Sequence, residues 1–291
     1  MLSNFEKWTL IEKGWSEDQK YCVTIADGSR HFLRVSPVKR YSVRKSLFEI
    51  LQKVEQLGIP MCHPIEFGRC DEGVYTLYTW VNGVDLEPVL PELLEKQQYM
   101  LGVQAGEILK KIHTIPAPPD QMDWYTRFSR KVRKKIQNYW ECPLKIPGDM
   151  QFIAYLEENW SLLNNRPQCF QHGDYHVGNM MLEQGKLQII DFDRFDFGDP
   201  WEEFNRIVWC AQASPSFASG QIDGYFGGEP PIEFFRLLAF YIASNTLSSI
   251  YWAIPYGEKE IQTMMCQAAD VLVWYDGMRT VIPGWYRNQA F

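Results

Sequence analysis

Residues 172–179, His-Gly-Asp-Tyr-His-Val-Gly-Asn, set a carboxylate at Asp174 and an amide at Asn179, and Asp191 follows after a short apolar stretch. Met180 to Leu182 and Leu187 to Ile190 are apolar runs joined by Glu183-Gln184-Gly185-Lys186, a glycine-containing connection of hairpin length. Pairing the runs about a turn near Gly185 puts Asn179 opposite Asp191, where cross-strand Cβ atoms stand about 5 Å apart. An amide oxygen beside a carboxylate is a hard-oxygen pair suited to Mg²⁺, whose shell phosphate oxygens and water complete. Asp174, upstream in a loop, can orient a hydroxyl nucleophile and take its proton. Any one of these residues alone is an ordinary turn former. Their joint spacing is what points to phosphoryl transfer.

His172 and His176 lie four apart, which raises zinc as a rival. A helical His pair of that kind needs Glu directly after the first His, and Gly173 stands there instead.

The elements that must position these groups divide the chain in two. Through residue 83 the pattern is rich in strands: Tyr21 to Ile25 and His31 to Val35 flank Asp27-Gly28-Ser29, and Pro64 to Gly68 and Val74 to Trp80 flank Asp71-Glu72-Gly73. Between the hairpins, Ser42 to Leu57 has helical apolar spacing (Val43, Leu47, Ile50, Leu51, Val54) and stops at Gly58 before Pro60. After Asn82-Gly83 the pattern turns helical, over Gln98 to Ile112, Met122 to Trp140, Gln151 to Asn164, Trp201 to Ala213, Ile232 to Ser248 and Glu258 to Met278. We therefore expect a strand-rich N-terminal lobe over 1–83. A helical lobe over 84–291 would carry the catalytic loop and the acceptor site.

At 291 residues, with 46% hydrophobic and 22% charged residues, the chain has the composition of a globular protein with a sizeable core. A net charge of −7 argues against nucleic acid as a partner and suits a cationic substrate. No unbroken apolar run reaches the roughly 18 residues of a membrane span, so no membrane partner is expected, and a cytoplasmic monomer or weak dimer is. The seven cysteines are scattered, as reduced thiols are. The basic run Arg127, Arg130, Lys131, Arg133, Lys134 and Lys135 reads as a solvated helix face.

The motifs resemble those of the aminoglycoside phosphotransferase and choline kinase superfamily, relatives of the protein kinases. In that family His-x-Asp-x4-Asn is the catalytic motif and Ile-Asp-Phe or Ile-Asp-Trp replaces Asp-Phe-Gly. Here they read His172, Asp174, Asn179 and Ile190-Asp191-Phe192, and Gly198-Asp199-Pro200 with Glu202 or Glu203 matches a further family segment. The resemblance implies an α+β, bilobal, protein-kinase-like fold with a small antiparallel-sheet N-lobe and a large, mainly helical C-lobe. It implies Asp174 as catalytic base, Asn179 and Asp191 as metal ligands, and Mg²⁺ with ATP or GTP as cofactors.

The resemblance also puts Arg34 where the family usually has the phosphate-holding Lys, with Glu49 as its partner. Backbone near Ser16 would bind phosphate oxygens, and the Thr79-Trp80-Val81-Asn82-Gly83 segment, through Thr79 and Val81, the base. His172 and His113 would be structural. The implied function is transfer of a γ-phosphate to a hydroxyl of a small molecule, an aminoglycoside-type antibiotic first, with choline, a sugar or a macrolide as alternative acceptors. Asp193, Asp196, Glu202, Glu203, Asp223, Asp270 and Asp276 are the acids from which amine contacts would come. The rival from another class is a non-catalytic nucleotide- or ligand-binding module, against which the intact Asp174, Asn179 and Asp191 count. A carboxylate-pair hydrolase gives no reason for the Asn.

Overall fold

The computed structural model describes residues 5–12 and 17–287. They form two compact units, one of residues up to 86 with 179–193, the other of 87–178 with the chain from 194 on.

The first unit is built on an antiparallel sheet, in spatial order β1 (Lys7–Leu10), β2 (Gln19–Thr24), β3 (Arg30–Ser36), β5 (Gly73–Thr79) and β4 (Pro64–Cys70). Both expected hairpins form. The β2–β3 turn closes as anticipated, with the Ser29 amide donating to the Asp27 carboxylate (2.8 Å) and Gly28 at φ 83°. Val23, Leu33, Val35, Tyr75 and Leu77 make the apolar face of this sheet. Four residues in a row on β3, Leu33 to Ser36, are buried, so the face opposite that core, which carries Arg34, is covered too.

The intervening helix α1 (Tyr41–Glu55) buries Leu47, Ile50, Leu51 and Val54 as expected. Its other inward residue is Arg44 (1% exposed), whereas Val43 is 49% exposed. Glu49 lies five residues past Arg44, about 140° around the helix. It is exposed and paired with Lys45 at 3.6 Å, not with Arg34. The expected Arg34–Glu49 pair is therefore corrected: the helix phase that buries the apolar stripe turns Glu49 to solvent.

In the second unit, the short α2 (Leu86–Val89) leads to α3 (Glu95–Ile112), α4 (Trp124–Glu141), α5 (Asp149–Glu158) and strand β7 (Cys169–Gln171). The hairpin β8 (Met180–Glu183) and β9 (Lys186–Ile189) then joins β6 (Val84–Asp85) in the first unit. Its turn is Gln184-Gly185, both at positive φ (49° and 79°), the two-residue form that matches strand twist. That turn pairs Met180 with Ile189, and the Ile190 amide donates to the Asn179 carbonyl (3.1 Å). Asn179 thus faces Ile190, with Asp191 one residue beyond; the sequence placed the turn half a residue too late.

The second unit resumes with β10 (Asp196–Gly198), paired to β7, then α6 (Ile207–Ala213), α7 (Pro215–Phe226), α8 (Ile232–Ala253) and α9 (Glu258–Trp274). Helix α7 was not anticipated, because its glycines and serines hide the helical period. The signals were at its ends. Ser214 accepts the Phe217 amide as N-cap (3.0 Å), Pro215 opens the helix, and Gly227 at φ 68° closes it.

Those glycines let α3 and α7 touch backbone to backbone. A Cβ at Gly102 or Gly106 would lie 2.1 or 2.2 Å from the Phe217 or Gln221 carbonyl oxygen, and one at Gly220 or Gly224 2.2 Å from that of Tyr99 or Val103. Replacing Gly106 by Ala must push the helices apart. We expect a loss of about 1–3 kcal/mol in urea unfolding, and an unchanged midpoint would refute this packing.

Helix α8 is a core helix. Ile232–Tyr256 is long and apolar enough to cross a membrane by length and composition, with 67% of its most apolar window buried inside the protein. Phe234, Leu238, Phe240, Tyr241 and Leu247 are its core side chains. Ser244, Asn245, Thr246, Ser248 and Ser249 interrupt the apolar sequence, so no unbroken apolar run of membrane-span length occurs in it. All seven cysteines are free thiols.

Candidate active site

In the second unit, β7 delivers the catalytic-motif loop, and buried polar groups fix its path. Gly173 turns at φ 83°, and its amide donates to the Glu203 carboxylate (2.9 and 3.2 Å). Glu203 is buried, with His113 Nε2 at 3.8 Å, and His113 Nδ1 meets the Tyr225 hydroxyl at 3.0 Å. The Asp174 amide reaches His172 Nδ1 (3.3 Å), and the Tyr175 hydroxyl donates to the Ala105 carbonyl (2.7 Å). Both histidines brace, as the resemblance implies. Asp199 holds the next turn: fully buried, it takes Arg166 in a two-point contact (2.6 and 3.0 Å), the Tyr241 hydroxyl (2.6 Å) and the Trp201 amide (3.0 Å).

Gly173 admits no other residue. A Cβ there would sit 1.8 Å from the Arg194 carbonyl oxygen, on a backbone angle that side chains already disfavour. Gly173→Ala should displace the loop, and a misplacement near 1 Å costs on the order of 10²-fold in rate. Steady-state kinetics checks this; wild-type turnover would show that the loop is not so constrained.

The Asp174 carboxylate lies among two guanidinium groups and an imidazole. Arg206 Nε is 3.2 Å from one oxygen, and Arg194 Nε and His176 Nε2 are each 3.8 Å from the other. Burial opposes ionisation, but the His176 hydrogen bond and the charges of Arg206, His176 and Arg194 outweigh it and hold the carboxyl well below the usual range.

In the first unit, Arg34 is buried (4% exposed), with Nη2 3.0 Å from Asp191 Oδ1, Nη1 against Asp193, and Asp18 at 3.7 Å. Arg44 ties Asp18 and Asp193 together, reaching Asp193 Oδ2 at 3.0 Å and Ser36 Oγ at 2.9 Å. Lys20, cross-strand partner of Arg34 on β2, is also buried; loss of hydration and the Arg34 charge push its ammonium down, against the pull of Asp191, Asp193 and Asp18. Burial disfavours the Asp193 carboxylate, yet Arg34 and Arg44 bring it down to about 2. Arg34 Nε, buried, makes no hydrogen bond among the described residues, a donor that a phosphate oxygen would satisfy.

Asp191, at φ 62°, offers a half-exposed carboxylate beside the strand end that carries Asn179. One carboxylate and one amide oxygen are too few for an all-protein metal cage, and no group of three His, Cys, Asp or Glu suited to a metal occurs among the described residues. They fit a hard cation that keeps water and phosphate ligands, as Mg²⁺ does. Thr79 is still within the β5 ladder, its amide donating to the His63 carbonyl (2.9 Å) and its hydroxyl accepting from the His63 amide (2.8 Å). Val81 follows in an extended segment, where the Asn82 amide donates to Glu183 (2.6 Å) and Arg30 lies over the Trp80 ring. Ser16 lies outside the described residues.

The sequence missed Asp18, Lys20 and Arg44 in one unit and Arg194 and Arg206 in the other, and it gave Asp193 a different role. Of the acids named for amine contacts, Asp193 serves Arg34 and Arg44, Glu203 the Gly173 amide, and Asp223 the Tyr99 and Tyr286 hydroxyls (2.9 and 2.7 Å). Asp193 was legible as the residue after Asp191-Phe192.

Residues 7–235 match the model of the phosphotransferase enzyme family. No curated protein matches the sequence. Several solved structures share the fold. A thermostable mutant of aminoglycoside phosphotransferase APH(4)-Ia, in ternary complex with ADP and hygromycin B, is 15% identical over 92% of this chain and 94% of that one, with a TM-score of 0.64. A choline/ethanolamine kinase family protein from Mesorhizobium loti is 14% identical over 96% and 93%, at 0.67. The amicoumacin kinase hAmiN, in complex with AMP-PNP, Ca²⁺ and Ami, is 14% identical over 97% and 93%, at 0.64. With its protein-kinase-like fold and a family match over most of its length, the chain belongs to the phosphotransferase enzyme family, whose members are small-molecule kinases.

Proposed function

We propose that this phosphotransferase moves the γ-phosphate of ATP or GTP to a hydroxyl of a small acceptor, with Asp174 as the group that orients that hydroxyl. The observation that carries this is the Asp174 loop, whose backbone is fixed by Glu203 and His172 while its carboxylate is kept ionised. A carboxylate of such low basicity is a poor base at the outset. It accepts a proton only once the hydroxyl has become acidic by bonding to phosphorus, which suits a loose phosphoryl-transfer transition state. Positioning then supplies most of the acceleration.

Arg34 would hold phosphate oxygens through its buried Nε, and Val81 would meet the base. Asn179 and Asp191 would hold Mg²⁺, which when bound offsets the charge of the triphosphate. An aminoglycoside-type antibiotic is the acceptor the resemblance suggests, and one relative is bound to hygromycin B. The cations around Asp174 speak against so positive a molecule.

The test is a nucleotide-consumption screen with ATP and GTP over aminoglycosides, macrolides, amino alcohols, sugars and hydroxy acids. Acceptor-dependent release of the diphosphate, lost in Asp174→Asn, supports the reading; consumption that no acceptor raises, or that survives the substitution, refutes it.

A further inference from the structure

Helix α4 carries the basic run that reads as a solvated face, and its packing sorts those charges. Arg133 leans over the Trp160 ring, Arg127 pairs with Asp196 (2.9 Å), and Lys131 approaches Glu202 (3.9 Å). Lys135, one turn beyond Lys131, is half-buried and interacts electrostatically with Lys131, Glu202 and Arg206. Arg206 is the side chain 3.2 Å from Asp174. Positive groups thus lead from Lys131 through Lys135 and Arg206 to the Asp174 carboxylate, and Arg194 and His176 flank its other oxygen.

The acids nearby do not cancel them all: Asp174 itself answers Arg206 and Arg194, and Lys135 forms no ion pair among the described residues. Glu203 is spent on Gly173 and Asp199 on Arg166, Asp196 on Arg127, and Glu202 is shared between Lys131 and Gln171. Arg206 Nε is buried and makes no well-directed hydrogen bond among the described residues. Loss of hydration, with the charges of Lys131 and Arg206 and against the pull of Glu202, brings the Lys135 ammonium down to about 7. An anion would relieve that strain, and a polycation would add to it.

We propose that the acceptor is anionic: a hydroxylated carboxylate or phosphate ester whose charge is met by Lys135 and Arg206 while its hydroxyl faces Asp174. The inference rests on the transfer reading above and narrows its substrate class.

The test compares D-gluconate, D-glucitol and D-glucamine, which differ at one terminal group, within wider panels of hydroxy acids, sugar phosphates, neutral polyols and aminoglycosides. Wild-type protein and Lys135→Gln are assayed for ADP release. The productive acceptors should be anionic, and Lys135→Gln should raise their KM about tenfold, the scale of one charge-assisted hydrogen bond, with kcat little changed. The carboxylate and phosphate arms separate the two anion types. Turnover confined to neutral or cationic acceptors overturns the proposal. So does an equal fall in kcat for every acceptor, since Lys135 would then act on the transferred phosphoryl group.

If no acceptor is consumed, the transfer reading fails and acetylation of Lys135, followed by mass spectrometry, decides. Protection by orthophosphate and D-gluconate, but not by D-glucamine, would leave the anion site standing; equal labelling with all three overturns it.

Discussion

Asp174→Ala should lower phosphoryl transfer by about 10²–10⁴-fold, the range for removal of a positioned proton acceptor. Nucleotide affinity should change little, because the residues expected to hold phosphate, Arg34 and Asp191 among them, belong to the other unit of the chain. The fold should survive. Asp174 pairs with Arg206 and Arg194, both partly solvated, and ion pairs of that kind contribute about 0–1 kcal/mol. In a chain of this size that is a shift of a few degrees in Tm at most. Kinetics, nucleotide titration and thermal unfolding of the one variant separate the three effects. Retained turnover would remove Asp174 from the mechanism; a collapsed Tm would make its role structural. Asp174→Asn sharpens the point, since it keeps the shape and the loop but cannot take the proton.

The pH dependence follows from the same cations. The Asp174 pKa is depressed in the folded protein, so its pairing stabilises the fold fully above the ordinary carboxylate range and is lost as pH falls through the lower folded value. Activity should therefore show no acid limb from Asp174 between pH 8 and about pH 5.

What could be read in the sequence is what is local. The 180–189 hairpin, both strand pairs of the first unit and the apolar stripe of α1 depend on turn chemistry and on periods of two or 3.6 residues. Each formed within a few residues of expectation. The loop of residues 172–179 was legible because its groups follow one another along the chain.

What escaped was distant in sequence. Arg44 occupies an inward position on α1 because Asp18 and Asp193, 26 and 149 residues away, are there to neutralise it. An apolar-period reading assigns that face to Val43 instead. Helix α7 was hidden for a related reason, its glycines being required by a backbone contact with α3 that no local pattern records. Lys135 belongs to the same class: one charge of a basic run, distinguished from its exposed neighbours by burial that only the folded chain imposes.

The buried charge network around Arg34 allows the sharpest contrast between the position the resemblance marked and the one the fold uses. Arg34→Met would leave Asp191 without its guanidinium, with Asp18 and Asp193 still held by Arg44. Breaking a buried pair from one side costs about 3–5 kcal/mol, because the abandoned charges remain desolvated. Nucleotide binding should fail with it, since Arg34 brings the buried donor that a phosphate would meet.

Arg34→Lys should rescue little: a single ammonium cannot fork between Asp191 and Asp193 as a guanidinium does. Glu49→Gln, on the solvent side of α1, should shift stability by less than about 0.5 kcal/mol and leave the KM for ATP unchanged. Acid should reproduce part of the Arg34 defect. Asp193 titrates at about 2 when folded, against about 3.9 when unfolded, so its contribution is complete above the higher value and disappears as pH falls through the lower. Urea unfolding at pH 7 and pH 3 should show wild type losing stability on acidification and an Asp193→Asn variant losing less. If Glu49→Gln weakens ATP binding while Arg34→Met does not, the network described here is not the phosphate-holding site.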